Sequence, residues 1–307
     1  MALRALGRRP LAVLPLVVLS AVLVSCGTDD ALLTARDGAV EGTHATIQLP
    51  DGQLVFTVSD AEEVSADEVT GGSPDGTYVG VDWEWEPWGG VPTGLTGFLI
   101  TGDARAEVTA TVDGKDFVLG DRGDAAGHYV PAADGTKAAD VTLSVELSGV
   151  TQTVRGDGSQ RDAGVAEPLY ALKAPTKAGA CRAAISPASL TGTPQCRWGS
   201  VRLPYVHDLG WAEQGEEWLV LNLDIRLDEV RRGAATFETG AQQEAVQVAG
   251  KAPARTLASR QVATALQTQT AFAVPAGEAQ TIDFRRTVAT EGAGDLQLTG
   301  KIQEETP

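Results

Sequence analysis

The feature that most constrains the fold of this chain is a two-residue alternation of apolar and polar side chains. Residues 141–147 alternate without a break, as a strand with one buried face requires. Asp51-Gly52 and Asp113-Gly114 each separate two further segments of this kind, and Asp-Gly is a strong signal for a tight hairpin turn. Amphipathic helical patterns are scarce, and only residues 254–270 fit a helix and a strand equally well. The sequence therefore predicts an all-β protein.

An internal repeat predicts that the chain contains two related domains. Residues 75–85 align with residues 215–225, and in both copies an aromatic side chain opens a long alternating strand. Farther along, Val130-Pro131 and Val274-Pro275 each precede another strand. The alternation predicts that these residues face inward: Val79, Val81, Trp83, Trp85, Leu219, Leu221, Leu223 and Ile225. Two landmarks in the same order indicate tandem β-sandwiches, while chance alignment of short strands is the alternative.

The domain boundaries follow from length and composition. Residues 43–152 and residues 168–307 are each long enough to form one sandwich core. Between them, residues 153–167 are polar, contain glycine and show no periodicity, which predicts a linker.

The first 26 residues predict export and lipid attachment. Arg4, Arg8 and Arg9 form a basic head, and the apolar run over residues 11–24 has the length of a signal-peptide core. The run ends in Leu23-Val24-Ser25-Cys26, which resembles the bacterial lipobox. That resemblance implies that residues 1–25 are a signal peptide and that diacylglycerol joins the thiol of Cys26, with palmitate among the acyl chains. A plain signal peptide or an uncleaved anchor is the alternative.

The resemblance also implies where the protein is located. Lipidated Cys26 would hold the protein at the extracytoplasmic face of the cell membrane, and residues 26–42 would form a short tether. Stable anchoring needs more than one acyl chain, which a lipobox cysteine carries.

The order of the repeated landmarks resembles a known family. A glycine turn, an aromatic residue such as Tyr78, a long alternating strand and a later Val-Pro step are similar to the immunoglobulin-like domain of unknown function in Gram-positive lipoproteins. The family implies tandem immunoglobulin-like sandwiches without catalytic residues or cofactors. The first domain departs from the pattern, because Glu86-Pro87-Trp88 stands where an Asn often ends the central strand.

Charge is distributed unevenly and excludes some partners. Without the three basic residues that precede Cys26, 21 basic residues oppose 41 acidic ones, a net charge of −20. Residues 27–155 carry −17 of this and residues 156–307 carry −3. Nucleic acid is not an expected partner, because binding it requires a basic surface. The acidity of the first domain fits either solubility or divalent-cation binding.

Cys181 and Cys196 are the cysteines that remain once Cys26 carries the lipid. An even pair in an oxidising compartment predicts a disulfide, and two free thiols are the alternative. The spacing does not suit a metal site, which would need further Cys or His ligands nearby.

The sequence contains no recognisable catalytic motif, so we expect no enzyme, no cofactor and no metal. His207 and Asp208 are adjacent, and adjacent residues on a strand point to opposite faces, so they cannot form half of a triad. Asp113, Asp116, Asp121 and Asp124 crowd one region and could bind Ca²⁺, although solvated acidic loops are the simpler interpretation.

Trp88 is the candidate partner contact, because it follows Pro87 and precedes two glycines and so is expected at an exposed loop end. The leading functional hypothesis is a non-enzymatic protein-interaction module of the cell envelope with an unidentified protein partner. A small-ligand or Ca²⁺ receptor that uses the acidic first domain is the alternative.

Overall fold

The structure is a computed structural model, and it describes residues 32–70, 72–87, 105–124, 127–171, 177–262 and 264–304. The regular secondary structure of these residues consists of strands, apart from two 3₁₀ helices, η1 (Ala138–Asp140) and η2 (Gly164–Ala171). Every strand pairing is antiparallel, and the prediction of an all-β, sandwich-type protein is confirmed.

The first half forms two sheets that pack face to face. Its strands are β1 (Leu33–Thr34), β2 (Thr43–Leu49), β3 (Gly52–Val58), β4 (Glu62–Glu63), β5 (Thr77–Pro87), β6 (Ala106–Val112), β7 (Lys115–Asp121), β8 (His128–Pro131), β9 (Thr142–Leu147), β10 (Val150–Arg155) and β11 (Arg161–Asp162). One sheet has the order β1-β8-β5-β3-β2, with β4 paired to β5, and the other has the order β11-β10-β9-β6-β7. Alternate residues of both sheets, among them Phe56, Val81 and Leu143, are fully buried between them.

The second half forms a second sandwich. Its strands are β12 (Lys177–Cys181), β13 (Ala184–Ser186), β14 (Gln195–Leu203), β15 (Tyr205–Val206), β16 (Gly210–Trp211), β17 (Glu216–Arg226), β18 (Val230–Arg232), β19 (Ala235–Phe237), β20 (Thr239–Val248), β21 (Arg255–Val262), β22 (Ala265–Pro275), β23 (Gln280–Thr290) and β24 (Leu296–Glu304). The sheet β12-β14-β17-β22-β21 faces the sheet β13-β24-β23-β20, and two short hairpins, β15-β16 and β18-β19, stand outside them. Leu221, Leu223 and Phe284 lie in the core that the two sheets enclose.

The two sandwiches share the connectivity of six of their strands. The segments that the sequence repeat aligned form β5 and β17, and each lies between two neighbours in its sheet. The order β3-β5-β8 in the first sandwich corresponds to β14-β17-β22 in the second, and β10-β9-β6 corresponds to β24-β23-β20. Val130-Pro131 ends β8 and Val274-Pro275 ends β22, so both Val-Pro steps close the strand that pairs with the central one.

The predicted tether is partly folded. Residues 33–40 belong to the predicted 26–42 tether, yet β1 pairs with β8, and Leu33, Ala35 and Val40 are buried against the outer face of the first sheet. Their apolar side chains cover Tyr78 and Tyr129, which a solvated tether would leave exposed. The predicted tether is therefore folded from Leu33 onward.

Two further segments acquire a definite structure. The predicted linker, residues 153–167, contributes the end of β10, all of β11 and the start of η2, because backbone pairing with β9 continues through Arg155. Residues 254–270, where the sequence allowed either a helix or a strand, form β21 and most of β22.

The two sandwiches meet through the β15-β16 hairpin. Trp211 packs against the cores of the first sandwich and of η2, and its Nε1 donates a hydrogen bond to the carbonyl oxygen of Leu147 at 2.9 Å. Tyr205 lies edge-on to Trp211, and its hydroxyl is 3.3 Å from the hydroxyl of Ser148. We refer to Leu147, Ser148, Tyr205 and Trp211 as the joint.

Candidate functional site

The two most specific site predictions fall outside the described residues. Cys26, the predicted lipid attachment point, and Trp88, the predicted partner contact, both lie there. The remaining predicted residues can be placed.

Cys181 and Cys196 form a disulfide, which confirms the predicted pair. They are directly opposite each other in β12 and β14, with a Cα–Cα distance of 5.0 Å. Cys196 is buried in the second core, so the bond ties edge strand β12 to the sheet from inside. Its role is therefore structural.

Trp83 and Trp85 have different environments, and the prediction that both are core residues is wrong for Trp85. Trp83 is buried and stacks on His128, with 5.8 Å between ring centroids. Trp85 is 39% exposed. It lies opposite Leu54, close to the β2-β3 turn, so its ring is at the end of the sandwich. Alternation determines which face of a sheet a side chain occupies, but not whether other residues cover that face near the end.

A cation lies against the exposed tryptophan. The guanidinium carbon of Arg122 is 5.6 Å from the centroid of Trp85. Nη1 of Arg122 is also 2.6 Å from Oδ1 of Asp51, whose side chain is nearly buried. The pair with Asp51 holds the guanidinium in place, and the π-face of the indole favours the cation.

These residues border a cleft of about 670 Å³ in the first sandwich, within the range typical of ligand pockets. Its described lining consists of Asp37, His44, Val55, Thr57, Asp82, Trp83, Glu84, Trp85, Arg122, Gly123 and Asp124. The lining runs along β5 beyond Val81, where the pairing of β5 with β8 ends. We call this cleft the β5 cleft.

The β5 cleft is acidic. Four of its side chains are carboxylates, and its one arginine already pairs with Asp51. Burial raises the pKa of Asp82, and the nearby charge of Asp37 raises it further. A hydrogen bond from the backbone N–H of Trp83 to Oδ1 of Asp82, 2.8 Å long, opposes that increase.

The two histidines near the β5 cleft lie in different environments. Burial lowers the pKa of His128, although the carboxylates of Asp124 and Asp82 oppose the shift. His44 lies on the outer face of the sheet, where its Nδ1 is 3.3 Å from the hydroxyl oxygen of Thr57. Because burial outweighs the carboxylates, the imidazole of His128 is neutral at neutral pH.

The lining of the β5 cleft offers two means of recognising a partner or ligand. Carboxylates can accept hydrogen bonds, and Trp85 provides an exposed aromatic surface. The arrangement therefore suits binding of a partner or ligand.

The acidic residues proposed for Ca²⁺ do not converge. Asp113 accepts a hydrogen bond from the backbone of Ala133, Asp116 from the hydroxyl of Thr111, and Asp124 from the backbone of Asp121. Asp116 and Asp124 thus stabilise their own hairpin or turn, and Asp113 joins two separate loops. Within the described ranges, no group of three or more His, Cys, Asp or Glu residues could hold a metal ion.

His207 and Asp208 lie exposed in the turn between β15 and β16. The carbonyl oxygen of Asp208 accepts a hydrogen bond from Arg255 at 3.0 Å. The structure brings neither side chain near the β5 cleft lining, and both fit a turn rather than a catalytic pair.

Sequence reasoning missed two buried arginines in the second sandwich. Arg286 is fully buried and donates hydrogen bonds to Glu244 and to the carbonyl oxygen of Ile225. Arg202 is almost fully buried and pairs with Glu304 and Glu217. The two-residue alternation of β23 gave a signal for Arg286, because Arg286 lies on the inward face of that strand with Phe284 and Val288.

Comparison with known proteins adds no assignment: no family model, no curated protein and no solved structure matches this chain. In the described part of the chain, no helix has the length and apolar character needed to cross a membrane.

Proposed function

We propose that this chain is an extracytoplasmic lipoprotein, anchored by a lipid on Cys26, that acts as a non-enzymatic protein-interaction module of the cell envelope. The lipobox-like Leu23-Val24-Ser25-Cys26 behind a basic head and an apolar run supports the address. The β5 cleft is the observation that carries the interaction role.

The composition of the β5 cleft favours a protein partner with a basic residue. Exposed aromatic side chains surrounded by polar groups are typical of the residues that dominate binding energy at interfaces. Trp85 is such a residue, and Asp82, Glu84 and Asp124 give the same cleft negative charge. The charge of the first domain would also accelerate encounter with a basic partner.

The lipid anchor on Cys26 and the protein partner can be tested in one experiment. Proximity crosslinking in intact cells, followed by capture of the protein from the envelope, should recover one or two partners. These partners should be lost with Cys26→Ala, which should also abolish incorporation of a labelled palmitate analogue. Recovery of the same partners by Cys26→Ala would contradict the role of the anchor.

A matched pair of variants tests the β5 cleft. Trp85→Ala should reduce capture of the partner, whereas Val262→Ala, on an exposed strand of the second sandwich, should not. Equal capture by both variants would remove the β5 cleft from the proposal.

A small-ligand receptor is the second candidate, favoured by the volume of the same cleft. Tryptophan fluorescence that saturates with an added envelope component, and loses that response in Trp85→Phe, would support it. A melting temperature that does not change on addition of Ca²⁺ would exclude this ion as the ligand.

A further inference from the structure

The direction in which the chain enters the first sandwich determines how a lipid anchor would orient the molecule. The chain is fixed from Leu33 onward, because β1 pairs with β8 and the backbone N–H of Ala35 donates to the carbonyl oxygen of Gly127 at 2.8 Å. Arg36 is held in the same way by the carbonyl oxygens of Glu68 and Val69. This inference rests on the proposed lipid at Cys26.

The register shows which end of the sandwich the chain enters. Leu33 lies opposite Tyr129 and Thr34 opposite His128, so antiparallel β1, followed back toward its N-terminal end, points toward Pro131. Pro131 pairs with Tyr78 at the start of β5. We call this end, formed by the loops at residues 72–77, 113–114 and 133–137, the anchor end. A hydrogen bond from the backbone of Ala133 to Asp113, 2.6 Å long, joins loops of the two sheets there.

The second sandwich is attached at the opposite end. The joint includes Leu147 and Ser148, at the turn between β9 and β10, and Leu147 pairs with Ala106 at the start of β6. The hairpin at Asp113 follows the other end of β6. The anchor end and the joint are therefore at opposite ends of the first sandwich.

Only a short stretch of chain separates Cys26 from the fixed strand. Seven residue steps lead from Cys26 to Leu33, and even a fully extended chain covers only about 25 Å in that number of steps. We propose that the first sandwich stands next to the membrane with its anchor end toward the lipid, and that the second sandwich projects away from the membrane.

The charge of the anchor end opposes adhesion of its surface to anionic lipid. Asp75, Asp113 and Asp134 are exposed there. Anionic lipid headgroups repel carboxylates within a screening length of about 8 Å at physiological salt. The protein surface is therefore held near the membrane by the lipid alone and does not adhere to it. This leaves the sides of both sandwiches, including the β5 cleft, accessible to a partner.

Energy transfer from protein to membrane tests this orientation. Ser73→Cys places a dye at the anchor end, and Ala234→Cys places one in the turn between β18 and β19, both at exposed positions. The eleven residues of β17 extend about 36 Å from the joint side of the second sandwich toward β18. The lipidated protein would be placed in vesicles of phosphatidylethanolamine and phosphatidylglycerol that contain an acceptor-labelled lipid.

We expect transfer from the Ser73→Cys dye to exceed transfer from the Ala234→Cys dye several-fold. A Gly/Ser insertion of about 14 residues between Gly27 and Thr28 should reduce transfer from the first dye, because it lengthens the reach of the chain. Equal transfer from both dyes, or an insertion without effect, would overturn the proposed orientation.

Flotation with the vesicles separates this result from failure of the proposed function. If the protein floats with the vesicles and Cys26→Ala does not, the lipid anchor is established. The energy-transfer result then tests only the orientation. If neither floats, or both float equally, the lipid anchor itself is refuted and the orientation with it.

Discussion

Nε1 of Trp211 in the second sandwich donates a hydrogen bond to the carbonyl oxygen of Leu147 in the first, at 2.9 Å. The same indole packs against the apolar residues of η2, including Ala166 and Leu169. A hydrogen bond from Nε1 of Trp218 to the carbonyl oxygen of Gly210, also 2.9 Å, fixes the hairpin that carries Trp211. One side chain therefore links both sandwiches and the helix between them.

Removing the Trp211 side chain should uncouple the two sandwiches. We expect Trp211→Ala to lower the free energy of unfolding by about 3 kcal/mol, because it removes apolar contacts and leaves a cavity. Trp211→Phe should cost only about 1 kcal/mol, since it keeps most of the packing and loses one hydrogen bond. Differential scanning calorimetry should show one transition in the parent protein and two in Trp211→Ala. A single unchanged transition would show that the Trp211 side chain is not what couples the sandwiches.

The parts of the fold that depend on local pattern were predictable from the sequence. Inward-facing residues such as Leu221 and Leu223 followed from alternation, and the cysteine pair followed from the count and the predicted compartment. The exposure of Trp85 was not predictable, because it depends on where neighbouring strands end. The β5 cleft was equally hidden, since Asp37, Asp82 and Asp124 come from distant parts of the chain and meet only after folding.

Loss of the disulfide should destabilise the second sandwich. With a sequence separation of 15 between Cys181 and Cys196, the chain-entropy model gives about 3 kcal/mol for closing the loop. We expect the double variant Cys181→Ala and Cys196→Ala to lose about that much, measured by urea denaturation in a Cys26→Ala background. Dithiothreitol should shift the midpoint of the protein that keeps the pair and leave the double variant unchanged. A double variant with the parent midpoint would contradict the prediction.

The buried Arg286–Glu244 pair should behave as a unit. Burial lowers the pKa of Arg286, and the carboxylate of Glu244 opposes this shift. Glu244→Ala would leave a buried cation without its partner, so we expect a loss of about 3 to 5 kcal/mol. Replacing both residues, with Arg286→Met and Glu244→Leu, should cost less than Glu244→Ala alone. Chemical denaturation of the single and double variants measures the difference, and a larger loss in the double variant would argue against the proposed role of the pair.

Buried His128 should make stability depend on pH. Its pKa in the folded protein is lowered from the ordinary value of 6.5, mainly because burial disfavours the imidazolium. As the pH falls below about 6.5, the unfolded chain binds a proton that the folded protein does not. The free energy of unfolding therefore falls as the pH falls in that window. Asp82, whose pKa is raised, contributes in the opposite direction at lower pH.

Comparing variants isolates the contribution of His128 from that of the carboxylates. His128→Phe keeps an aromatic ring against Trp83, where the imidazole now stacks at 5.8 Å, and removes the titrating group. Between pH 7.5 and pH 5.5, we expect the melting temperature of the parent protein to fall more than that of His128→Phe. His207→Asn, in an exposed turn, should follow the parent protein. If His128→Phe and the parent protein lose stability in parallel, the buried imidazole is not the source of the pH dependence.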